Sequence, residues 1–260
     1  MNKLFDKREL LFSVCVIAVY SVQYTFAEKL SEHLGITSSV TATLNLGLSF
    51  ALVMWIHREN LYEYYGLCKA KENGKKVLLY IPLLIISTRN FWHGFALNLP
   101  VIDTVFYIAN MLTVGFLEEL LFRGLLFKAI EKRSVKSAFI ISSLTFGLGH
   151  IVHLFDGSGM TLVANFCQVL GAFGVGFVFA AVFYSAGSLI PCIVTHSLYD
   201  AFSAFANEAG LTVRFRIITS IVIVVISVLY GSYLLKMKNK SKPVSESDGR
   251  SLSGVFRSYR

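Results

Sequence analysis

Long runs of apolar residues, separated by short polar stretches, follow one another along most of the chain. Each run has about 18 or more largely apolar residues, which is the length that a helix needs to cross roughly 30 Å of hydrocarbon. The pattern therefore predicts an all-α protein, a polytopic transmembrane helical bundle. We place about eight transmembrane helices at 10–27, 37–56, 77–98, 104–130, 137–155, 160–186, 188–207 and 215–235.

The composition agrees with a membrane fold and excludes a soluble one. Hydrophobic residues make up 55% of the chain and charged residues 15%, with a mean hydropathy of +0.62, far outside the soluble globular range. We expect one transmembrane domain over residues 1–235. Residues 236–260 are rich in Ser, Lys, Arg and Gly, and we predict a disordered, basic cytoplasmic tail there.

The formal net charge of +8 comes from Lys and Arg residues beside the apolar runs and in the tail. In such a chain these residues indicate topology and contact with lipid head groups, and no nucleic-acid partner is expected. Their distribution over alternate loops predicts that both termini are cytoplasmic. The compact loops look bacterial, so we expect a multi-pass protein of a bacterial cytoplasmic membrane.

The fourth predicted span carries three charges within six residues, Glu118, Glu119 and Arg123. A charged residue in the middle of a span costs at least about 2.5 kcal/mol on insertion scales, so each one should face the protein interior. Glu119 and Arg123 are four residues apart and can form an ion pair within the helix. Glu118 points about 100° away from Glu119 and lacks a partner on its own helix, unless a cation or a metal lies nearby.

Two later spans each bring a histidine to the membrane interior. His150 follows Phe146 by four residues, and His196 precedes Asp200 by four, which puts each pair on one helical face. Ionisable groups on three separate helices require a shared polar cavity. A buried polar network that only fixes helix packing remains the plain alternative, and in it Asp200 would hold His196 in one tautomer.

These residues resemble the three motifs of the CPBP family, the CAAX-prenyl-endopeptidase-like (type II) and bacteriocin-processing intramembrane proteases, also called the Abi family. The motifs are Glu118-Glu119-x-x-Phe122-Arg123, Phe146-x-x-x-His150 and His196-x-x-x-Asp200, within residues 118–200. The resemblance implies an eight-helix membrane core with a polar cavity, and a peptidase without a serine or cysteine nucleophile. By resemblance, Glu118 and His150 activate the attacking water, and Glu119 and Arg123 shape the site. The resemblance likewise implies that His196 and Asp200 stabilise the oxyanion or complete a metal site.

The residues leave two versions of the chemistry open. Glu118, His150 and His196 are an accepted catalytic zinc set with a fourth position open for water. In the version without metal, Glu118 is the general base and His196 donates to the oxyanion. The prenyl endopeptidases have Asn at the position of Asp200, and an ionised Asp cannot donate a hydrogen bond. This departure favours a role in binding metal or in orienting His196.

The expected activity is endopeptidase cleavage within the membrane, of a hydrophobic, lipidated or transmembrane peptide. Two other classes of function fit the same residues. In a proton-coupled transporter, Glu118, His150 and His196 would relay protons or bind a cation. In a membrane immunity or scaffold protein, the motifs would be kept without catalysis.

Overall fold

The computed structural model describes residues 3–70, 80–154 and 160–240. Those residues form helices joined by short loops, and the part described contains no strand, only an isolated antiparallel bridge between Phe95 and Ala206. The predicted all-α class is confirmed. The helices are α1 (Lys3–Leu34), α2 (Ser39–Arg58), α3 (Ile81–Ser87), α4 (Val101–Glu118), α5 (Lys128–Glu131), α6 (Val135–Gly149), α7 (Leu162–Ala186), α8 (Ile190–Phe202) and α9 (Val213–Lys240).

Within the described ranges, six helical segments are long and apolar enough to cross a membrane. Their outward faces carry many exposed large apolar side chains, such as Leu46, Phe50 and Leu229, as expected of surfaces that contact lipid. The protein is an integral multi-pass membrane protein. The six segments are Arg8–Leu34, Ser39–Arg58, Val101–Glu131, Val135–Leu154, Leu162–Ala186 and Val213–Lys238.

The two remaining predicted spans form shorter helices. In 77–98, of which residues 77–79 lie outside the described part, α3 has seven residues, and in 188–207 α8 has thirteen. The chain that follows α3 is hydrogen-bonded to the chain that follows α8. The Asn98 amide donates to the carbonyls of Ala204 and Ala206 at 3.2 and 2.9 Å. Hydropathy gives the length of an apolar run but not the point at which the helix ends within it. Backbone groups beyond that point can be satisfied by side-chain hydrogen bonds inside the protein.

The last helix is longer than predicted. α9 extends to Lys240, so the first five residues of the predicted tail, 236–240, are helical. The rest of that predicted disordered segment lies outside the described residues, where its disorder stays a prediction.

Helix α4 continues without a break into a π-helical segment, Glu119–Phe127, and then into α5. All nine residues of the π-helical segment are buried. π-Helical turns are rare and occur frequently at functional sites. The segment contains Glu119 and Arg123 and begins directly after Glu118, so the charged motif lies at the change of helical register.

Two glycines allow the helices around the motif to pack closely. A Cβ atom on Gly115 of α4 would lie 2.5 Å from the backbone nitrogen of Ser197 of α8. A Cβ atom on Gly147 of α6 would lie 3.1 Å from the backbone nitrogen of Phe173 of α7. Gly115 is one helical turn from Glu118 and Glu119, and Ser197 follows His196. The close crossing of α4 and α8 therefore brings the first and third motifs together.

Candidate active site

Glu119 joins the first motif to the third. Its Oε1 atom accepts a hydrogen bond from Arg123 Nη1 at 2.9 Å and lies 2.8 Å from Nδ1 of His196. The side chains of Glu119 and Arg123 are fully buried. The ion pair predicted within the helix is present, and it also holds the histidine of α8. Residue spacing does not predict that second contact, because it joins two different helices.

The Arg123 guanidinium lies against aromatic rings. Its Cζ atom is 4.1 Å from the ring centroid of Phe146 and 5.6 Å from that of Phe179, at distances typical of cation–π contacts. Gly176 makes room for it, because a Cβ atom there would lie 3.2 Å from Arg123 Nη2. The aromatic faces and the Glu119 carboxylate together compensate the buried positive charge.

Both ring nitrogens of His196 face carboxylates. Nδ1 contacts Glu119, as described above, and Nε2 lies 3.2 Å from Asp200 Oδ2 and 3.9 Å from Glu118 Oε2. A neutral imidazole carries one N–H, so only the doubly protonated ring donates to Glu119 and Asp200 together. The geometry therefore favours an imidazolium held between two carboxylates, with its Nε2 side turned toward Glu118.

Glu118 has a partner that sequence reasoning missed. The Tyr20 hydroxyl of α1 donates to Glu118 Oε1 at 3.2 Å. Tyr20 is buried, whereas the Glu118 side chain keeps 19% of its surface exposed. A tyrosine hydroxyl in an apolar run was the only available signal, and tyrosines are common in such runs. Glu118 is thus held on one oxygen and can still be reached by a small molecule.

His150 stands apart from the other site residues. It begins the 3₁₀ turn His150–Leu154 after α6, and its Nδ1 lies 3.1 Å from the Phe146 carbonyl oxygen. Among the described residues it makes no hydrogen bond or ion pair with Glu118, His196 or Asp200. The Phe146 ring is their shared neighbour, with its centroid 5.4 Å from the ring of His150 and 5.6 Å from that of His196.

The backbone of His150 is fixed by a neighbouring helix. The Asn165 amide of α7 donates to the His150 carbonyl oxygen at 2.8 Å. Since that bond anchors the turn, the imidazole is placed by two constraints, one from its own helix and one from α7. The structure therefore brings Glu118, Glu119, Arg123, His196 and Asp200 into one contact network, and it connects His150 to that network through Phe146.

The donor set does not form a ready zinc site in this arrangement. Both nitrogens of His196 face carboxylates, and a zinc ligand needs one of them free. Across the described ranges, no three His, Cys, Asp or Glu side chains are grouped so that they could hold a metal ion. The sequence-based prediction of zinc on Glu118, His150 and His196 stays a prediction.

Fold and site together define a helical membrane protein with a largely buried cluster of carboxylates and a histidine where α4 and α8 cross. Residues 100–202 match the family model of the Rce1-like type II CAAX prenyl endopeptidases. That segment contains all three motifs, so the resemblance drawn from them is confirmed over it. No curated protein and no solved structure gives a match to the chain.

Proposed function

We propose that the protein is an intramembrane endopeptidase that cleaves a peptide bond in a membrane-associated or lipidated substrate. The observation that carries the proposal is the contact of His196 with Glu118, Glu119 and Asp200, within a segment matched to a peptidase family. Glu119, Arg123 and His196 are buried, and Glu118 and Asp200 are partly buried beside them. Charged groups are costly in a membrane interior, and where they occur they mark functional sites.

Glu118 is the general base of the proposed reaction. Its Oε1 is oriented by Tyr20, and the carboxylate is partly exposed to incoming water. Glu118 takes a proton from water while the water oxygen bonds to the substrate carbonyl carbon. It then gives this proton to the leaving nitrogen as the C–N bond breaks. The products are a new carboxyl terminus and a new amine, and the base is regenerated.

His196 stabilises the oxyanion in this scheme. Its Nε2–H faces Asp200 in the resting site. The same N–H donates a hydrogen bond to the substrate oxygen as negative charge develops there. Glu119 holds the opposite nitrogen and keeps the ring in place. Asp200 is an acceptor, and its position supports a role in orienting His196 rather than in direct contact with the oxyanion.

His150 helps to bind the attacking water. When its Nδ1–H donates to the Phe146 carbonyl, Nε2 carries the lone pair and accepts a hydrogen bond from water. We further propose that the enzyme resides in a bacterial cytoplasmic membrane with both termini in the cytoplasm. Tagging each terminus for protease accessibility in sealed spheroplasts and inverted vesicles tests that orientation.

The test of function uses purified protein in liposomes with two quenched reporters, a prenylated peptide and a transmembrane peptide. Glu118→Gln keeps the size of the side chain but removes the base, and we expect cleavage to fall about 10²- to 10⁴-fold. Glu59→Gln is the matched control, because Glu59 is an exposed carboxylate that lies outside the site. Equal cleavage by both variants would contradict the role of Glu118.

The same liposomes separate the other two classes of function. Proton-coupled uptake that is lost in Glu118→Gln, without cleavage of either reporter, would favour a transporter. Partner binding or protection that is unchanged in Glu118→Gln, again without cleavage, would favour an immunity or scaffold protein.

A further inference from the structure

A polar cavity lies beside the ends of three of the candidate spans. Its volume is about 230 Å³, and its wall includes Lys128, Tyr184 and Lys238. These residues are close to the ends of Val101–Glu131, Leu162–Ala186 and Val213–Lys238. The end of a transmembrane helix lies at the level of the lipid head groups, so this cavity faces the region where phosphates and amines of phospholipids are found.

Among the residues that the structure describes, the cavity wall carries two positive and two negative side chains. Lys128 and Lys238 supply ammonium groups, and Glu63 and Glu131 supply carboxylates. Lys128 Nζ lies 2.8 Å from Glu131 Oε2, and both side chains stay partly exposed, at 26% and 22%. Lys238 donates to the Tyr184 carbonyl oxygen. A lysine ammonium has three donors, so each lysine can donate to a phosphate together with the acceptors that it already contacts.

Aromatic rings form part of the wall. Lys238 Nζ lies 3.5 Å from the ring centroid of Tyr184, and Lys128 Nζ lies 5.6 Å from that of Tyr64. Aromatic faces stabilise ammonium groups, including those of ligands. These rings stabilise the two lysines in place, and the cavity offers carboxylate acceptors to a cation beside ammonium donors to an anion.

From this balance of charge we propose that the cavity binds the head group of an aminophospholipid. Lys128 and Lys238 bind its phosphate, and Glu63 and Glu131 accept hydrogen bonds from its primary ammonium. A simple anion would meet two carboxylates, and a trimethylammonium head group has no N–H to donate. The cavity volume of about 230 Å³ is that of several water molecules at about 30 Å³ each, so the cavity has room for such a head group.

The bound lipid would connect elements that are distant in sequence. Glu63 lies in the chain after α2, Lys128 and Glu131 lie in α5, and Lys238 lies in α9. A head group that contacts all of them ties these three regions together at the membrane surface. This inference is independent of the proposed peptidase activity, because none of its residues belongs to the Glu118 network.

The test measures which lipid stays on the purified full-length protein. Delipidated protein is exchanged into mixed micelles with equal amounts of phosphatidylethanolamine, phosphatidylcholine and phosphatidylglycerol, and bound lipid is counted by native mass spectrometry. We expect phosphatidylethanolamine to be retained about tenfold over the other two, the usual effect of one charge-assisted hydrogen bond. Equal retention of the three lipids would overturn the proposal.

Variants and a soluble competitor make the result specific. Lys238→Gln and Glu63→Gln should each remove the preference. The matched controls Lys236→Gln and Glu59→Gln, which are exposed residues that do not line the cavity, should keep it. Loss of the preference in the controls as well would show a general surface effect and overturn the site. Displacement by an equal concentration of soluble glycerophosphoethanolamine would assign the site to a free head group instead of a lipid.

Discussion

The carboxylate of Glu119 and the imidazole of His196 meet in a 2.8 Å contact between Oε1 and Nδ1, across the crossing of α4 and α8. The same oxygen also accepts from Arg123. One buried carboxylate atom thus connects an arginine on its own helix with the histidine of another. This shared oxygen makes Glu119 the residue on which both the stability and the geometry of the site depend.

Replacing Glu119 with Gln should therefore cost both stability and activity. The substitution removes the counter-charge of a fully buried Arg123, and breaking a buried ion pair costs about 3–5 kcal/mol. Thermal unfolding in detergent, followed by circular dichroism, measures the loss. Glu208→Gln is the matched control, since the pair of Glu208 and Arg216 is exposed and such pairs contribute about 0–1 kcal/mol. Similar shifts in the two variants would contradict the central place of Glu119.

Gly115→Ala should separate α4 from α8. The added Cβ atom would lie 2.5 Å from the backbone nitrogen of Ser197, directly after His196, so the helices must move apart. Overpacking of this kind costs about 1–3 kcal/mol, and the contacts of His196 lengthen with it. We expect peptide cleavage to fall at least about tenfold.

The control for this change is Gly47→Ala. A Cβ atom at Gly47 meets no atom within 4 Å, and alanine is the better helix former. Its cleavage rate and unfolding midpoint should match or exceed those of the wild type. Equal activity in Gly115→Ala would show that the crossing tolerates the extra methyl group and that the site does not depend on it.

Asp200 can be tested by comparing two substitutions. If it only accepts the Nε2–H of His196, Asn supplies an oxygen in the same place, and kcat/KM should fall by about fivefold as a charged acceptor becomes neutral. Asp200→Ala removes the acceptor and should lower kcat/KM by about 10- to 100-fold. Measuring both against the prenylated reporter decides the matter. A loss in Asp200→Asn as large as that in Asp200→Ala would point to a role for the negative charge itself.

Zinc content separates the two chemical versions that the residues allow. Because both nitrogens of His196 face carboxylates, we expect well below one zinc per chain in protein purified without chelators, and cleavage that survives a chelator. Elemental analysis of wild type, His150→Ala and His196→Ala measures it. Near-stoichiometric zinc in the wild type that is lost in both variants would establish a metal site and replace the scheme based on Glu118 alone.

Spacing along the chain predicted contacts within a helix but not contacts between helices. The i to i+4 rule predicted the pairs Glu119–Arg123 and His196–Asp200, and both are present. The bond from Tyr20 to Glu118 and the contact of Glu119 with His196 join different helices. Such contacts depend on how each helix is rotated, and hydrophobic pattern fixes that rotation only coarsely.

The fold shows the same division. The six long spans follow from hydropathy, because an apolar run of sufficient length has few other stable states. α3 and α8 are short, and the non-helical carbonyls after α8 accept hydrogen bonds from the Asn98 side chain. Hydropathy does not register such side-chain bonds.

The π-helical segment Glu119–Phe127 also sets the angle between the two ends of its helix. Each residue of an α-helix turns the chain by about 100°, and the wider π turns rotate it by less. The direction in which Lys128 and Glu131 project, relative to Glu119, is therefore fixed by those nine residues. Deleting one residue there would shorten the helix and would also rotate Lys128 and Glu131 about the helix axis relative to Glu119. The two parts of the helix could then no longer both face their present neighbours.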